Sequence, residues 1–196
     1  MHPEDPNLFV TAGWDQNLKI YDVRQREPID QLYGPIINGD SLDIFEDLLV
    51  VGNDKNKENL MMYCLSQRKR VNTWEFNQNQ KDAETGFLYA TRFSNDGNFV
   101  FAGGAGKNEL KVFANNSDSS ATFKLQMEIC NLPSPVYCID TNPDPNLKQF
   151  AFGLRNGLVY ICNYDYNANS EDHEPYLGNI SMVAKEQKRQ EQRDFQ

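Results

Sequence analysis

Histidine is scarce: the 196 residues include only His2 and His173. A Ser–His–Asp triad would have to use one of them, and neither has the surroundings of a positioned base. The four cysteines, Cys64, Cys130, Cys138 and Cys162, form no C-x-x-C pair and lie far from both histidines. The spacing of a structural zinc site is therefore missing. Each cysteine sits inside or beside an apolar run, which points to buried free thiols in a reducing compartment, the cytoplasm. No apolar run approaches the roughly 20 residues that cross a bilayer. No charged segment followed by an apolar one opens the chain as a secretory signal would. Positive charge is short too, with 19 Lys and Arg against 28 Asp and Glu for a formal net charge of −9. Phosphate contacts need Lys and Arg, so neither nucleic acid nor an anionic membrane is the expected partner.

Catalytic signatures are equally sparse. No G-x-S-x-G nucleophile elbow occurs. "GGAGKNE", Gly103–Glu109, lacks the P-loop spacing and the Ser or Thr after Lys. The acidic stretch Asp140–Asp144 lacks the alternating ligands and central Gly of a calcium loop. Glu4-Asp5 and Glu46-Asp47 read as ordinary turn residues. No enzymatic activity, metal or cofactor is expected.

What is present is a repeat. Hydrophobic residues make up 39% and aromatics 12%, enough for a core and too many for wholesale disorder. Four segments share a Gly-containing turn followed by an alternating apolar run: "AGWDQNLKIYDV", "VGNDKNKENLMMYCL", "GGAGKNELKVFA" and "GLRNGLVYICNY". Aligned on Leu18, Leu60, Leu110 and Leu158, they place Tyr21, Tyr63, Phe113 and Ile161 at one position, at spacings of 42, 50 and 48 residues. A period of this length with several short strands per unit is the signature of propeller blades. Upstream halves recur as well. In "LYATRFSNDGNFVFAGG" two strand-like runs flank Asn95-Asp96-Gly97, a strong hairpin signal. "VYCIDTNPDPNLKQFAFG" repeats the arrangement, aligning Val136 with Leu88, Tyr137 with Tyr89 and Asp144 with Asp96. Outermost strands are expected near Ile29–Tyr33, Val71–Phe76 and Phe123–Cys130.

The chain resembles WD-repeat β-propellers. The best match is "TAGWDQNLKIYDVR", with Asp15 in the turn between second and third strands and Tyr21-Asp22 where the family has Trp-Asp. The resemblance implies an all-β fold, with blades of four-stranded antiparallel sheets forming an open or partial propeller over residues 1–166. The family often has a Gly-His pair before each blade, whose His joins a Ser/Thr, the turn Asp and the Trp in a hydrogen-bonded network. No Gly-His occurs here. Blade one keeps Thr11 and Asp15, while Lys57, Lys107 and Arg155 stand at the turn-Asp position of the other blades. Those blades are expected to cohere mainly by apolar packing. The face that usually meets partners carries the second-to-third-strand turns and the starts of the first strands. It maps onto Trp14, Tyr89 and Tyr137, with Leu154 in the turn position of Trp14 and Arg155 beside it. Trp and Tyr are enriched in binding hot spots. The resemblance thus implies a non-catalytic scaffold for protein partners.

Two further expectations concern the ends. "HPEDPNLFV" resembles a second strand and the turn before it, so blade one would lack its first strand. An arc of about three and a half blades exposes apolar faces and strand edges. That leads us to expect self-association or completion of the propeller by another chain. Residues 167–196 read as an acidic linker followed by a polar tail rich in helix formers.

Overall fold

The computed structural model describes residues 1–54, 58–76, 87–115, 123–144, 146–166 and 175–183; of the linker and tail expected at 167–196, Pro175–Val183 instead form a strand, and the rest lies outside the described residues. Among the described residues there is no helix, and every regular element is a strand. Four antiparallel sheets follow one another along the chain. Sheet 1 has three strands, β1 (Leu8–Thr11), β2 (Asn17–Asp22) and β3 (Asp30–Tyr33). Sheet 2 is built of β4 (Leu42–Phe45), β5 (Leu48–Gly52), β6 (Leu60–Cys64) and β7 (Lys69–Trp74). Sheet 3 comprises β8 (Leu88–Phe93), β9 (Phe99–Gly104), β10 (Leu110–Asn115) and β11 (Phe123–Ile129). Sheet 4 comprises β12 (Val136–Thr141), β13 (Gln149–Leu154), β14 (Val159–Tyr166) and β15 (Pro175–Val183).

Burial along each strand follows from the position of its sheet. In β2, of the first sheet, every second residue is buried, because only one face meets a neighbour. In β6 and β9, from the two middle sheets, every residue is buried, because both faces are covered. This explains the unbroken apolar runs "LMMYC" and "FVFAGG". Three apolar layers join the sheets in chain order. Leu18 packs with Ile44, Leu49, Val51 and Met61 between sheets 1 and 2. Val50, Leu60 and Met62 meet Phe93, Val100 and Phe113 between sheets 2 and 3. Phe99, Phe101 and Val112 meet Phe150, Phe152 and Cys162 between sheets 3 and 4. In that last layer the rings of Phe101 and Phe150 stack with centroids 4.1 Å apart. Each Phe so buried contributes ~1.5–3 kcal/mol.

At one edge of the stack β4, β8 and β12 run side by side. Asp40 and Ala90 form a parallel bridge there, and Phe93 N donates to Asp43 Oδ2 at 2.8 Å. The hairpin expected at Asn95-Asp96-Gly97 is present. Asp96 Oδ1 accepts from Ser94 Oγ at 2.5 Å and from Asn98 N at 3.1 Å. Gly97 takes φ +69°, and a Cβ there would strike the Phe45 ring.

Two polar features supplement the apolar layers. Asp22 is buried beneath Arg24, whose Nε and Nη2 donate to it at 2.8 and 2.5 Å and whose backbone N donates at 2.9 Å. In sheet 3, Lys111 and Glu109 are buried. The Lys111 ammonium lies 3.6 Å from Glu109 Oε1 and 3.1 Å from Glu128 Oε1, donates to Phe76 O and sits over the Phe76 ring. Burial pushes the Glu109 carboxyl up from its ordinary range, and Lys111 opposes that shift. Sheet 3, expected to cohere by apolar contact, therefore also encloses an ion cluster.

Both features give measurable outcomes. Lys111→Met leaves Glu109 buried without its cation and should cost roughly 3–5 kcal/mol in urea denaturation. Replacing Lys111 and Glu109 together by apolar residues should cost far less. The Arg24 hydrogen bonds, side chain first and backbone second, depress the Asp22 carboxyl to about 2. A depressed carboxylate stabilises the fold above its unfolded value of ~3.9, and that stabilisation is lost as pH falls. Denaturation midpoints should therefore fall between pH ~4 and pH ~2, and less steeply in Asp22→Asn.

Candidate interaction face

The residues of interest gather at one end of the strands. Trp14 sits in the tight turn between β1 and β2 and is 78% exposed. Its ring is held, since Nε1 donates to Asn38 Oδ1 at 2.6 Å and Asn38 Nδ2 donates onward to Asp54 Oδ2 at 2.5 Å. Asp54 follows β5, and its backbone N donates to Ile36 O at 2.9 Å. Its Oδ1 is buried with no hydrogen-bond partner, and burial pushes its carboxyl up. Asn38 precedes Gly39, whose φ of +66° places the chain so close to Tyr89 O that a Cβ would lie 2.7 Å from it.

Tyr89 and Tyr137 owe their orientation to the same irregularity. The pairing of β8 with β9 skips from Leu88 to Ala90, and that of β12 with β13 skips from Val136 to Cys138. Each tyrosine is thus the extra residue of a β-bulge, a device that re-aims a side chain out of the ladder. The two rings meet edge to face at 4.8 Å, an arrangement that aromatic quadrupoles favour. Tyr137 is 42% exposed, while Tyr89 is half-buried. Burial raises the Tyr89 hydroxyl's affinity for its proton; Tyr137 and Asp54 reinforce the shift and Arg155 opposes it. These electrostatic couplings put Asp54, Tyr89, Tyr137 and Arg155 in one neighbourhood. Trp14 joins it through Asn38.

One site expectation needs correction. Leu154 is buried and belongs to the layer between sheets 3 and 4. β13 runs to Leu154 itself, whereas β1 ends at Thr11, three residues short of Trp14. The residue that shares Trp14's turn position is therefore still in a strand and points inward. Thr11 and Asp15 are both exposed. The Asp15 carboxylate serves its own turn, accepting from Lys19 Nζ at 3.0 Å and Asn17 N at 3.3 Å, which holds its carboxyl below the usual range. Asp96 lies in the β8–β9 turn, away from this face, and acts there as a turn residue. Asn38 and Asp54 were missed; the Asn38-Gly39 pair was the available signal, because Asn-Gly marks a turn needing positive φ.

The cysteines are corrected as well. All four are free, but only Cys64 and Cys162 are buried; Cys130 and Cys138 are exposed. The bulge at Tyr137 reverses the alternation of β12 and turns Cys138 outward. Cys130 lies one residue beyond β11. The donor atoms of Glu109, Glu128 and Cys130 lie within 4.8 Å of one another. The Lys111 ammonium already lies against both carboxylates, 3.6 Å from Glu109 and 3.1 Å from Glu128. Among the described residues no helix is long and apolar enough to cross a membrane.

No family model and no curated protein matches the sequence. Among solved structures, the chain is similar to the computationally designed Ika4 protein, with a TM-score of 0.60 and 15% identity over 80% of this chain and 85% of that one. At that identity the likeness concerns the all-β fold alone.

Thiol labelling checks the cysteine assignments. A maleimide applied to the native chain should modify Cys138 first. Cys130 should follow more slowly, since burial and then the Glu128 and Glu109 carboxylates push its thiol up. Cys162, pushed up to about 12 by burial, should react only after unfolding, as peptide mass spectrometry would show.

Proposed function

We propose that this chain is a WD-repeat-like propeller segment that acts as a non-catalytic protein–protein interaction scaffold. The four sheets are its blades, and β4, β8 and β12 are the innermost strands of blades two to four. The observation that carries the reading is the pair of tyrosines at equivalent bulges, in contact with each other and partly exposed, in line with a hydrogen-bonded Trp14. A face of this kind binds through preorganisation: the aromatic rings are held by packed sheets, so little entropy is lost when a partner docks. Trp and Tyr bury large areas with few rotatable bonds. The partners are proteins, and the acidic surface disfavours nucleic acid and anionic membrane. The cytoplasm is the proposed location.

A second reading is a structural subunit whose open edge is covered by another chain. Its support is the outward face of sheet 4, where Val159 is 41% exposed and Ala151 and Ile161 are half-buried, and the outward Phe9–Tyr21 stack of sheet 1. A pull-down with the intact chain, followed by titration of the captured protein, separates the readings. Trp14→Ala and Tyr137→Ala should each weaken binding about tenfold or more without lowering the melting temperature. Unchanged affinity in both variants would remove this face from consideration. Loss of binding only on altering Val159 or Tyr21, with large assemblies in light scattering, would favour the structural subunit.

A further inference from the structure

Two cross-strand pairs recur at the same register in every sheet. One pair points toward the preceding sheet: Leu49–Tyr63 in sheet 2, Val100–Phe113 in sheet 3 and Phe150–Cys162 in sheet 4. Phe9–Tyr21 is its equivalent in sheet 1. The adjoining pair points toward the following sheet, because side chains alternate along a strand. It is Val10–Ile20, Val50–Met62, Phe101–Val112 and Ala151–Ile161 in the four sheets.

Each apolar layer joins a forward pair to the back pair of the following sheet. Val50 and Met62 pack with Val100 and Phe113, and Phe101 and Val112 pack with Phe150 and Cys162. Val10 packs with Leu49 and Tyr63 in the same way. The back pairs of sheets 2 to 4 are thereby sealed, at most 3% exposed.

Two pairs are left over. The back pair of sheet 1, Phe9–Tyr21, is half-buried, with its rings stacked at 5.0 Å. The forward pair of sheet 4, Ala151–Ile161, is half-buried too, and the neighbouring Val159 is exposed. Among the described residues no apolar layer joins sheet 4 to sheet 1. These faces are the two halves of a fourth layer. Sheet 1 brings the large side chains, and sheet 4 brings small ones, with Gly153 opposite Val159. Charge does not oppose their meeting, although the chain carries −9. Among the described strand residues on these faces only Lys19 and Asp140 are charged, with opposite signs.

We propose that two copies of this chain associate head to tail, the forward face of sheet 4 in each seated on the back face of sheet 1 in the other. The inference rests on the open-edge reading above and names the chain that covers the edge. Both halves of the layer belong to one chain, so a second copy completes the two open faces at once. Head-to-tail contacts either close into a ring or run on as a fibre. Two copies bring twice four sheets, and propellers close with about four to eight blades, so this ring closes at two. Inside the chain, β8 and β12 lie against the innermost strands of the sheets before them. Sheet 1 begins its ladder at β1, so Cys138 on β12 stays open to reagents in the dimer. The Trp14 end of the strands stays free as well.

Size exclusion with light scattering, on the full chain at micromolar concentration, should give twice the chain's 22.5 kDa. Tyr21→Lys spoils one face and Val159→Glu the other, and each should weaken association about a hundredfold. Mixing the two variants should restore a dimer, because one of its two junctions then joins an unaltered sheet 4 to an unaltered sheet 1. Circular dichroism melts report folding. Where Tyr21→Lys melts early, Thr11→Arg, at an exposed position of the same face, takes its place. Dimers that persist in both variants would overturn the proposal, as would variants that stay monomeric when mixed. A monomeric wild-type chain would overturn it too. Binding of a foreign chain that Val159→Glu abolishes would in that case preserve the open-edge reading, and its absence would remove both.

Discussion

A sheet with two apolar faces cannot stand alone in water, and the rest of this structure depends on that constraint. Sheets 2 and 3 are apolar on both sides, so each must have a sheet against either face. The solution is serial: three layers join four sheets in chain order. Every strand burial pattern follows from it, from strict alternation in β2 to complete burial in β9. The middle sheets even tolerate the Glu109–Lys111 pair, because the enclosing layers hold cation and carboxylate together.

The proposed interaction face arises where the ladders depart from regularity. Side chains in a regular strand alternate between its two layers and have no route to the strand ends. A bulge supplies one residue that belongs to neither layer. It does so twice here, at Tyr89 and Tyr137, and adjacent sheets bring the two rings into contact. The turns at the same end add Trp14 and Arg155, and the Asn38–Asp54 bridge ties Trp14 to the body of the protein. Loops supply variety on this face, while the sheets supply rigidity.

Much of the architecture was legible in the sequence. Alternation of apolar residues and recurring turn residues located the strands, and the outer strands fell within two residues of their expected limits. Both signals are local, which is why they survive without knowledge of contacts. Tyr89 and Tyr137 were recognised as equivalent because their surroundings repeat. Leu154 and Cys138 were misplaced for a shared reason. Leu154 was placed by aligning its turn with that of Trp14 and Cys138 by the apolar run around it, and neither signal registers that β13 runs further than β1 or that β12 gains a bulge. Asp54 was invisible because a polar residue in a loop gives no sign that a neighbouring chain segment will bury it.

The sequence by itself determined the strands, the hairpin turns, the acidic surface and the scarcity of catalytic groups. These depend on residue type and on neighbours a few positions away. Tertiary structure decided the rest: which residues the bulges turn outward, which carboxylates lose their water, and which two sheet faces are left partly exposed. Each of these depends on how one sheet's side chains fit against the next. Strand parity and residue type leave that fit open until the sheets are stacked.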